Sequence, residues 1–456
     1  MSGKYHISNI LSWINNGSER TAKLKKNVAL SIFIKIGSIL SSLVIVPMTI
    51  DFVNENVYGT WLTISSIVAW MSFFDIGFTN GLRNKFSEAL ALGDRRKART
   101  YVSTTYVVLS VIFMALAVIM IAVVHAIDIS PLLKLDMTNE PDLKLALTVL
   151  VLYFCITFVL RILSIILIAD QQPARSAAVD LWGQLGSLLA VFIFKETVSG
   201  SLFVLSLALC IPPMLAWIVA SVFYFKRGYR YCIPSVRFAE RKSVRPLLGL
   251  GMKFFIIQIA AIIQFQTANV FIARLFSMES VTEYNIAYKY FNVLYMGFMI
   301  LLQPFWSAVT NAYTQKDFGW IVSGVNKYLK LALLVTVAGI VMLLASDAVY
   351  KLWIGESVHI SFNLSAWMLV YFVTTIFGAI FVSLINGIGA LKIQYISSLI
   401  SPLVFIALVV LFCKYMRLGM YAVLLSSVIA NFNGLILAPV QYYKIVKQRK
   451  EGIWTA

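Results

Sequence analysis

Charge is scarce in this sequence, and acidic residues are its scarcest part. Of the 456 residues only 13% are Asp, Glu, Lys or Arg, whereas 60% are hydrophobic. Soluble proteins carry about twice that share of charge. The mean hydropathy is +0.84. These values exclude a soluble domain with one or two membrane anchors, and they indicate a polytopic membrane protein.

Residues that carry metal, redox or catalytic chemistry are also few. The four cysteines and three histidines are scattered, so the sequence predicts no disulfide framework, no metal site and no cofactor. It has no phosphate-binding glycine loop and no nucleophile elbow. The gaps between apolar runs reach only about twenty residues, which disfavours a membrane glycosyltransferase or polymerase. We therefore expect a protein that is not an enzyme.

Apolar stretches of about 20 residues, the length that crosses a bilayer as a helix, are abundant. We predict an all-α polytopic membrane protein with about 12 transmembrane helices. These helices form two six-helix lobes, related by a pseudo-two-fold axis along the membrane normal. The predicted spans are residues 27–50, 57–77, 101–125, 145–168, 178–195, 201–225, 248–273, 284–310, 329–346, 364–388, 394–413 and 419–443.

The cations are distributed unevenly between the gaps. Of the 38 Lys and Arg residues, 27 lie in the two tails and the even-numbered gaps, and six lie in the odd-numbered gaps. Because cytoplasmic loops are enriched in Lys and Arg, both termini are predicted to be cytoplasmic. Loop charge of this kind accounts for the net charge of +18 without a nucleic-acid partner.

The longest cytoplasmic gap falls near the middle of the chain. We predict a cytoplasmic tail, an N-lobe, a cytoplasmic inter-lobe loop, a C-lobe and a second cytoplasmic tail at residues 1–26, 27–225, 226–247, 248–443 and 444–456. A faint repeat pairs "SIILIADQQPARSAAV" from Ser164 with "SLINGIGALKIQYISSL" from Ser383. The offset of about 220 residues favours a parallel repeat of two similar halves.

Two predicted spans carry polar stripes at helical spacing, each with one cation. Lys35 and Arg161 lie roughly 10–12 Å from the cytoplasmic ends of their helices, too deep to reach the headgroups easily. We predict that both face a wet interior and bind an anionic headgroup, with a buried ion pair or an interhelical hydrogen bond as the alternative. The stripes are Ser31, Lys35, Ser38 and Ser42 in the first span, and Tyr153, Thr157, Arg161 and Ser164 in the fourth.

The seventh and eighth spans also carry polar side chains. Two polar faces run along the seventh span, one with Lys253 and Gln264 and the other with Gln258 and Asn269, which fits a helix that borders a hydrated lumen. Tyr288, Lys289 and Asn292 lie toward the outer mouth of the eighth span. Such amide and aromatic groups suit sugar rings, although an aromatic belt at the membrane interface explains them equally well. Lys253 and Lys289 are further candidates for binding a diphosphate.

Asp75 is the one acid clearly inside a predicted span, at the end of the second. Three roles are open for it: a state-dependent ion pair with Lys35 or Arg161, transfer of a coupling proton, or capping of the nearby backbone. Residues 80–100 then form a cytoplasmic loop with six cations. Leu82 and Phe86 share one face of a short helix there, which we expect to lie along the membrane surface, with a solvated loop as the alternative.

The stretches "FFDIGFTNGLRNKFSEALALGDRRKA", "GLGMKFFIIQIAAIIQFQTANVFIA" and "LINGIGALKIQY" resemble the Wzx-type polysaccharide flippases. Those proteins belong to the multidrug/oligosaccharidyl-lipid/polysaccharide exporter (MOP) superfamily. The resemblance covers nearly the whole chain and implies two six-helix lobes with a central cationic cavity. It also implies alternating-access export of undecaprenyl-diphosphate-linked oligosaccharide repeat units across a bacterial cytoplasmic membrane. O-antigen, capsule and exopolysaccharide assembly are the pathways that it suggests.

The partners implied by this resemblance are the lipid-linked oligosaccharide and membrane lipids, with the polysaccharide polymerase and the chain-length regulator as candidates. The alternative is a cation-coupled multidrug antiporter of the MATE type, from the same superfamily. Such an antiporter needs membrane-embedded acids that bind H⁺ or Na⁺ and a cationic drug. The deep charges of this sequence are instead positive, with Asp75 as the exception.

Overall fold

The computed structural model describes residues 19–69, 77–126, 140–354 and 360–455. Within these ranges the chain forms helices and their connections, without a β-strand. Its contacts divide it into two compact units, Met1–Gly251 and Met252–Ala456. We call them the N-unit and the C-unit, and each is described by itself.

The described part of the N-unit consists of helices that pack against one another. They are α1 Glu19–Val53, α2 Glu55–Ala69, α3 Phe78–Ala91, α4 Arg95–Ala126, α5 Glu140–Leu160, α6 Ile162–Ala169, α7 Pro173–Thr197 and α8 Leu202–Arg227. Two 3₁₀ turns, Arg230–Cys232 and Val236–Phe238, lead to α9, Arg241–Leu275. The first turns of α9 belong to the N-unit and the rest to the C-unit.

The C-unit continues with α10 Met278–Thr314, α11 Phe318–Leu344, α12 Ser346–Ile354, α13 Phe362–Ile388, α14 Lys392–Val409, α15 Tyr421–Ala430 and α16 Ala438–Tyr442. The chain forms π-helical turns at Val410–Tyr415, Asn433–Leu437 and Tyr443–Lys447, and a final 3₁₀ turn at Gly452–Trp454. The hairpin from α13 to α14 has a three-residue connection, as does the hairpin from α6 to α7. The two hairpins are 219 residues apart, which agrees with the offset seen in the sequence.

Ten described helices are long and apolar enough to cross a membrane. An eleventh span results if α15 and the segment Asn433–Lys447, which are bent by 45°, are counted together. The predicted second span begins with α2, but residues 70–76, including Asp75, lie outside the described residues. The predicted all-α polytopic fold is confirmed, with ten or eleven spans in the described ranges where about twelve are predicted.

Several helices extend beyond the apolar runs that predict them. α9 begins at Arg241 rather than at residue 248, and α11 begins at Phe318 rather than at residue 329. The added turns contain Lys, Arg and other polar residues, which hydropathy assigns to loops. A helix satisfies its own backbone whether or not lipid surrounds it, so its ends need not coincide with the edges of the hydrocarbon.

Side-chain oxygens satisfy the first turns of several spans. Asp142 accepts hydrogen bonds from the backbone N–H groups of Leu202 (2.9 Å) and Phe203 (3.2 Å) at the start of α8. An acid there also interacts favourably with the helix dipole. In the C-unit, Ser277, Asp317 and Ser361 cap α10, α11 and α13 in the same way.

Helix α3 is enclosed by the N-unit rather than lying free on a membrane surface, so that expectation is wrong. Its apolar residues Leu82 and Phe86 are fully buried, and Arg83 on another face is also buried, with 9% of its surface exposed. Ser87 Oγ donates to the backbone oxygen of Ala169 at 2.8 Å. Removal from water lowers the pKa of Arg83 to about 9, which still leaves it charged at neutral pH.

The connection between α8 and α9 is held against the N-unit. The hydroxyl of Tyr229 donates to Asp170 Oδ2 at 2.7 Å, and the backbone N–H of Ser235 donates to Ser103 Oγ at 3.1 Å. Burial and the nearby Asp170 carboxylate raise the pKa of Tyr229, so the phenol keeps the proton that it donates. The predicted inter-lobe loop is therefore a docked strap in its central part.

Substitutions at two helical glycines can test how closely α3 packs against the start of α9. A Cβ atom on Gly81 would lie 2.3 Å from the backbone oxygen of Leu247, whereas a Cβ on Gly249 meets nothing within 4 Å. We expect Gly81→Ala to lower the midpoint of thermal unfolding in detergent by several degrees. Gly249→Ala should leave it unchanged or raise it, since Ala gains roughly 0.5–1 kcal/mol over Gly inside a helix. Equal midpoints for the two variants would contradict this packing.

Candidate functional site

Arg161 occupies a break between two helices of one predicted span. Helix α5 ends at Leu160 and α6 begins at Ile162, with Arg161 between them. Its backbone N–H still donates to the carbonyl of Thr157 at 2.8 Å, but its carbonyl accepts from Ser164 at 2.9 Å, a tighter turn. The break positions a long cationic side chain about 12 Å from the C-terminal end of α6.

The guanidinium of Arg161 is paired with an acid that the sequence analysis did not single out. Arg161 donates to Asp180 Oδ1 on α7 at 2.7 Å, and the buried Trp217 on α8 donates to the same oxygen at 3.2 Å. The guanidinium carbon lies 5.7 Å from the Trp217 ring centre. Because 52% of the Arg161 side chain and 33% of Asp180 are exposed, both remain accessible. Asp75 is therefore not the only acid inside a span.

The other residues of the predicted stripe surround this pair. Ser164 Oγ lies 2.6 Å from Ser176 Oγ on α7, and Tyr153 is close enough to interact electrostatically with Arg161 and Asp180. The hydroxyl of Thr157 is buried and has no hydrogen-bond partner in the described ranges. The fourth-span stripe thus forms one polar cluster, which faces α7 and α8.

The first-span stripe is less closely assembled. Ser31 is buried, Ser38 is partly buried, and Lys35 and Ser42 are exposed. Ser42 donates to the carbonyl of Ile39 in its own helix at 2.8 Å. These side chains lie along the edge of the α1 face that packs into the N-unit, and Lys35 forms no ion pair with the described residues.

The C-unit contains an open cavity of about 350 Å³, lined by side chains from five helical segments. The polar groups of its lining are neutral amides and hydroxyls, and its aromatic walls are Tyr295 and Trp306. Its polar lining residues are Gln264, Thr375, Ser383, Asn386, Gln394, Ser397, Ser398, Ser401, Asn431 and Asn433. Among the described residues, no acidic or basic side chain is part of this lining, so the cavity suits an uncharged polar group.

Two glutamines dominate the chemistry of the cavity. Ser401 Oγ donates to Gln264 Oε1 at 2.9 Å, which leaves the amide nitrogen of Gln264 without a partner among the described residues. Gln394 is 5% exposed, and its Oε1 has no hydrogen-bond partner in the same ranges. The wall therefore contains both an amide donor and an amide acceptor that the described residues leave unused.

The last predicted span breaks where it borders the cavity. Helix α15 ends at Ala430, and the π-helical turn begins at Asn433. Asn431, Asn433 and Gly434 of this break all line the cavity. Irregular backbone at membrane depth is tolerated where it faces a polar cavity, and π-helical turns are frequent at functional sites.

The remaining predicted residues of the C-unit differ in their placement. Lys253 lies one turn before Ile257, on the face of α9 that lines the cavity, and its charge interacts with that of Lys392. Tyr288 packs against Phe372, with ring centres 5.1 Å apart. Lys289 is exposed and Asn292 is partly buried. Neither of them, nor Tyr288, is among the cavity residues.

Several site residues could have been predicted from the helical spacing of polar residues, which also identified the stripes of the first and fourth spans. Gln394, Ser397, Ser398 and Ser401 follow spacings of three, one and three residues in an otherwise apolar helix. The sequence "NFNG" at residues 431–434 interrupts the last apolar run. Asp180 lacks such a signal, because it lies near the predicted start of its span. In the described ranges no group of three or more His, Cys, Asp or Glu residues could hold a metal.

The comparisons with known proteins agree on family and fold. The family model described as "Polysaccharide biosynthesis protein" matches residues 24–307. A multidrug resistance MATE family transporter of the MOP superfamily, solved in an outward-facing conformation, matches with a TM-score of 0.73 at 16% identity, over 94% of this chain and 97% of that one. At these identities the likeness to solved structures shows the fold. No curated protein matches by sequence.

Two further solved structures are similar. A MOP superfamily transporter from Pyrococcus furiosus, whose reverse polarity of the binding pocket suggests a different function, matches with a TM-score of 0.72 at 16% identity, over 94% of this chain and 97% of that one. A MATE protein in the bent conformation matches with a TM-score of 0.72 at 17% identity, over 95% of this chain and 98% of that one. The chain therefore has the fold of a multi-pass transporter of this superfamily.

The Arg161–Asp180 pair can be tested by a double-mutant cycle on the purified protein. We expect Arg161→Gln and Asp180→Asn each to lower the free energy of unfolding, because each leaves a charge without its partner. The double variant should lose less than the two single losses added together, with a coupling on the order of 1 kcal/mol for a half-exposed pair. Strictly additive losses would mean that the pair contributes nothing to stability.

Proposed function

Because this chain belongs to the polysaccharide biosynthesis protein family and has the fold of MOP-superfamily transporters, we propose that it is a lipid-linked oligosaccharide flippase. It exports undecaprenyl-diphosphate-linked repeat units from the inner to the outer leaflet of a bacterial cytoplasmic membrane. The product serves the assembly of O-antigen, capsule or exopolysaccharide. Its partners are the lipid-linked oligosaccharide and membrane lipids, with the polymerase and chain-length regulator acting after export.

The sign of the charge inside the spans carries this proposal. Apart from acids close to helix ends, the described spans contain one carboxylate, Asp180, and Arg161 already neutralises it. Lys35 and Lys253 form no ion pair with the described residues. A cation at membrane depth is costly unless it faces water or an anion. The excess positive charge therefore favours an anionic ligand such as a diphosphate.

Arg161 can bind a diphosphate and also release it. Its planar guanidinium donates to phosphate as well as to a carboxylate, and its pair with Asp180 is accessible. A bound diphosphate would take the place of Asp180, and re-formation of the pair would release the ligand. In this proposal Asp180, which contacts Arg161, has the role of state-dependent partner that the sequence suggests for Asp75.

The alternative, a cation-coupled multidrug antiporter, requires an acid that is free to bind H⁺, Na⁺ or a cationic drug. Asp180 is held by Arg161 at 2.7 Å and by the Trp217 indole at 3.2 Å. The described lining of the C-unit cavity contains no charged residue. Both features favour a ligand that is anionic at one end and neutral and hydroxylated at the other. The antiporter alternative is supported only by the fold, which this chain shares with MATE transporters.

The proposal predicts that loss of a cation weakens both binding and export. We expect Arg161→Gln and Lys253→Gln to bind the lipid-linked repeat unit at least about tenfold less tightly, since a charged hydrogen bond contributes about 1.5–3 kcal/mol. In a strain that lacks its own copy of the gene, surface glycan should fall, and lipid-linked units should accumulate inside. Asp180→Asn should instead bind at least as tightly as the wild type but export more slowly, because the competing carboxylate is lost.

Lys330→Gln is the matched control, since Lys330 is an exposed cation on α11 of the C-unit, and it should behave as the wild type. Normal binding and export by both Arg161→Gln and Lys253→Gln, at normal abundance, would refute the diphosphate role. Efflux of ethidium that is driven by an ion gradient, together with no binding of the lipid-linked unit, would instead identify an antiporter.

The proposed topology predicts the side from which two exposed positions can be labelled. Val236, in the α8–α9 strap, is 77% exposed, and Leu352 on α12 is 90% exposed. Val236→Cys should resist an impermeant maleimide in intact cells and react after the membrane is opened, whereas Leu352→Cys should react in intact cells. Native Cys232 should stay unlabelled, because it is fully buried and burial raises its pKa to about 12. The reverse labelling pattern would invert the topology.

A further inference from the structure

The C-unit cavity differs chemically from the cationic positions proposed to bind the diphosphate. Arg161 and Lys253 offer positive charge, but the cavity lining offers amides, hydroxyls and two aromatic side chains without a charge. A volume of about 350 Å³ lies at the lower end of the range for small-molecule sites. The cavity therefore has the size and chemistry of a separate subsite for an uncharged group.

One amide of the lining is buried and keeps an oxygen without a partner in the described ranges. Gln394 is 95% buried, lines the cavity, and keeps Oε1 without a hydrogen bond in the described ranges. The Oδ1 atom of Asn433, on the opposite helical segment, is likewise unpartnered there. Buried polar atoms are nearly always hydrogen-bonded in folded proteins, so both amides at the cavity wall have hydrogen-bonding capacity that the described residues do not use.

Serine and glutamine side chains around these atoms are held in fixed positions. Ser397 Oγ donates to the carbonyl of Gln394 at 2.9 Å, and Ser398 Oγ donates to the carbonyl of Tyr395 at 2.8 Å. Ser401 Oγ lies 2.9 Å from Gln264 Oε1 and 2.7 Å from the backbone oxygen of Ala430, and these two acceptors share its single proton. The serine protons are thereby engaged, so their oxygens are left to accept, and Gln264 is left to donate. Such a preorganised set discriminates between ligand groups that donate a hydrogen bond and groups that accept one.

A sugar ring matches this lining better than other neutral groups do. Its hydroxyls both donate and accept, as the amides and serine oxygens require. Its C–H faces are apolar and fit against aromatic rings, which Tyr295 and Trp306 supply. A lipophilic cation would find no acid in the lining, and an apolar ligand would leave Gln394 unsatisfied.

We propose that the C-unit cavity is the carbohydrate-binding pocket of the transporter, where Gln264, Gln394 and Asn433 recognise uncharged sugar hydroxyls. This inference rests on the proposed function and assigns the glycan to one subsite and the diphosphate to others. Lys253 lies one helical turn from the cavity wall, on the same face of α9. With the diphosphate bound at Lys253, the first sugar attached to it would therefore lie at the cavity.

The test measures how much the sugar adds to binding. The full-length protein is purified in detergent, and dissociation constants are measured for two ligands. One ligand is undecaprenyl diphosphate. The other is the lipid-linked repeat unit, isolated from a strain in which this gene restores glycan export. The ratio of the two constants is the sugar-dependent gain. We expect Gln394→Leu, which keeps the side-chain volume, to reduce this gain about two- to tenfold. Binding of undecaprenyl diphosphate itself should not change.

Gln258→Leu is the matched control, because Gln258 lies on α9, is exposed and does not line the cavity. Gln264→Leu is the second test variant if Gln394→Leu does not fold, since Gln264 is only partly buried. A reduced gain in the cavity variants, with the control unchanged, supports the pocket.

The negative outcomes separate the two proposals. If the wild type binds undecaprenyl diphosphate but shows no sugar-dependent gain, the cavity holds water only and the pocket proposal is overturned. The same follows if the gain survives in both cavity variants. In either case the flippase proposal stands. If the wild type binds neither lipid, the proposed function itself fails and the pocket fails with it.

Discussion

Hydrocarbon offers no hydrogen bonds, so every polar group inside a span of this protein must find its partner within the protein or in a hydrated space. The two units meet this constraint differently. In the N-unit, Arg161 and Asp180 satisfy each other inside the spans, with the Trp217 indole as a second donor to Asp180. In the C-unit, neutral amides and hydroxyls share a cavity, where some of their hydrogen-bonding atoms are left unused.

These two solutions have different consequences for ligand exchange. An ion pair that is half exposed can open at a modest cost, because water and a competing anion replace what is lost. A buried amide without a partner instead costs desolvation free energy, which a hydrogen bond to a ligand hydroxyl or a water molecule offsets. The N-unit cluster is therefore suited to reversible exchange of anions, and the C-unit cavity to discrimination between neutral groups.

The all-helical membrane fold could be predicted from the sequence because hydrocarbon thickness fixes the length of an apolar run. The polar stripe with Arg161 was also predictable, since helical spacing places Tyr153, Thr157 and Ser164 on its side of the helix. Its partner Asp180 was not predictable, because α7 begins at Pro173, five residues before the apolar run suggests. The enclosure of α3 was missed for a related reason: Gly77 and Gly81 allow the α9 backbone to approach, and hydropathy does not record the absence of a side chain.

The cavity of the C-unit depends on tertiary structure that no single span reveals. Its lining comes from α9, α10, α13, α14 and the broken last span, and each contributes only a few polar residues to a mainly apolar helix. Their convergence follows from close helix contacts, such as Gly378 of α13 against Gly434 at the break. A Cβ atom at either position would lie 3.1–3.3 Å from the backbone of the other glycine, so the two segments would have to move slightly apart beside Asn433. The small residues therefore set the shape of the cavity, and the amides set its chemistry.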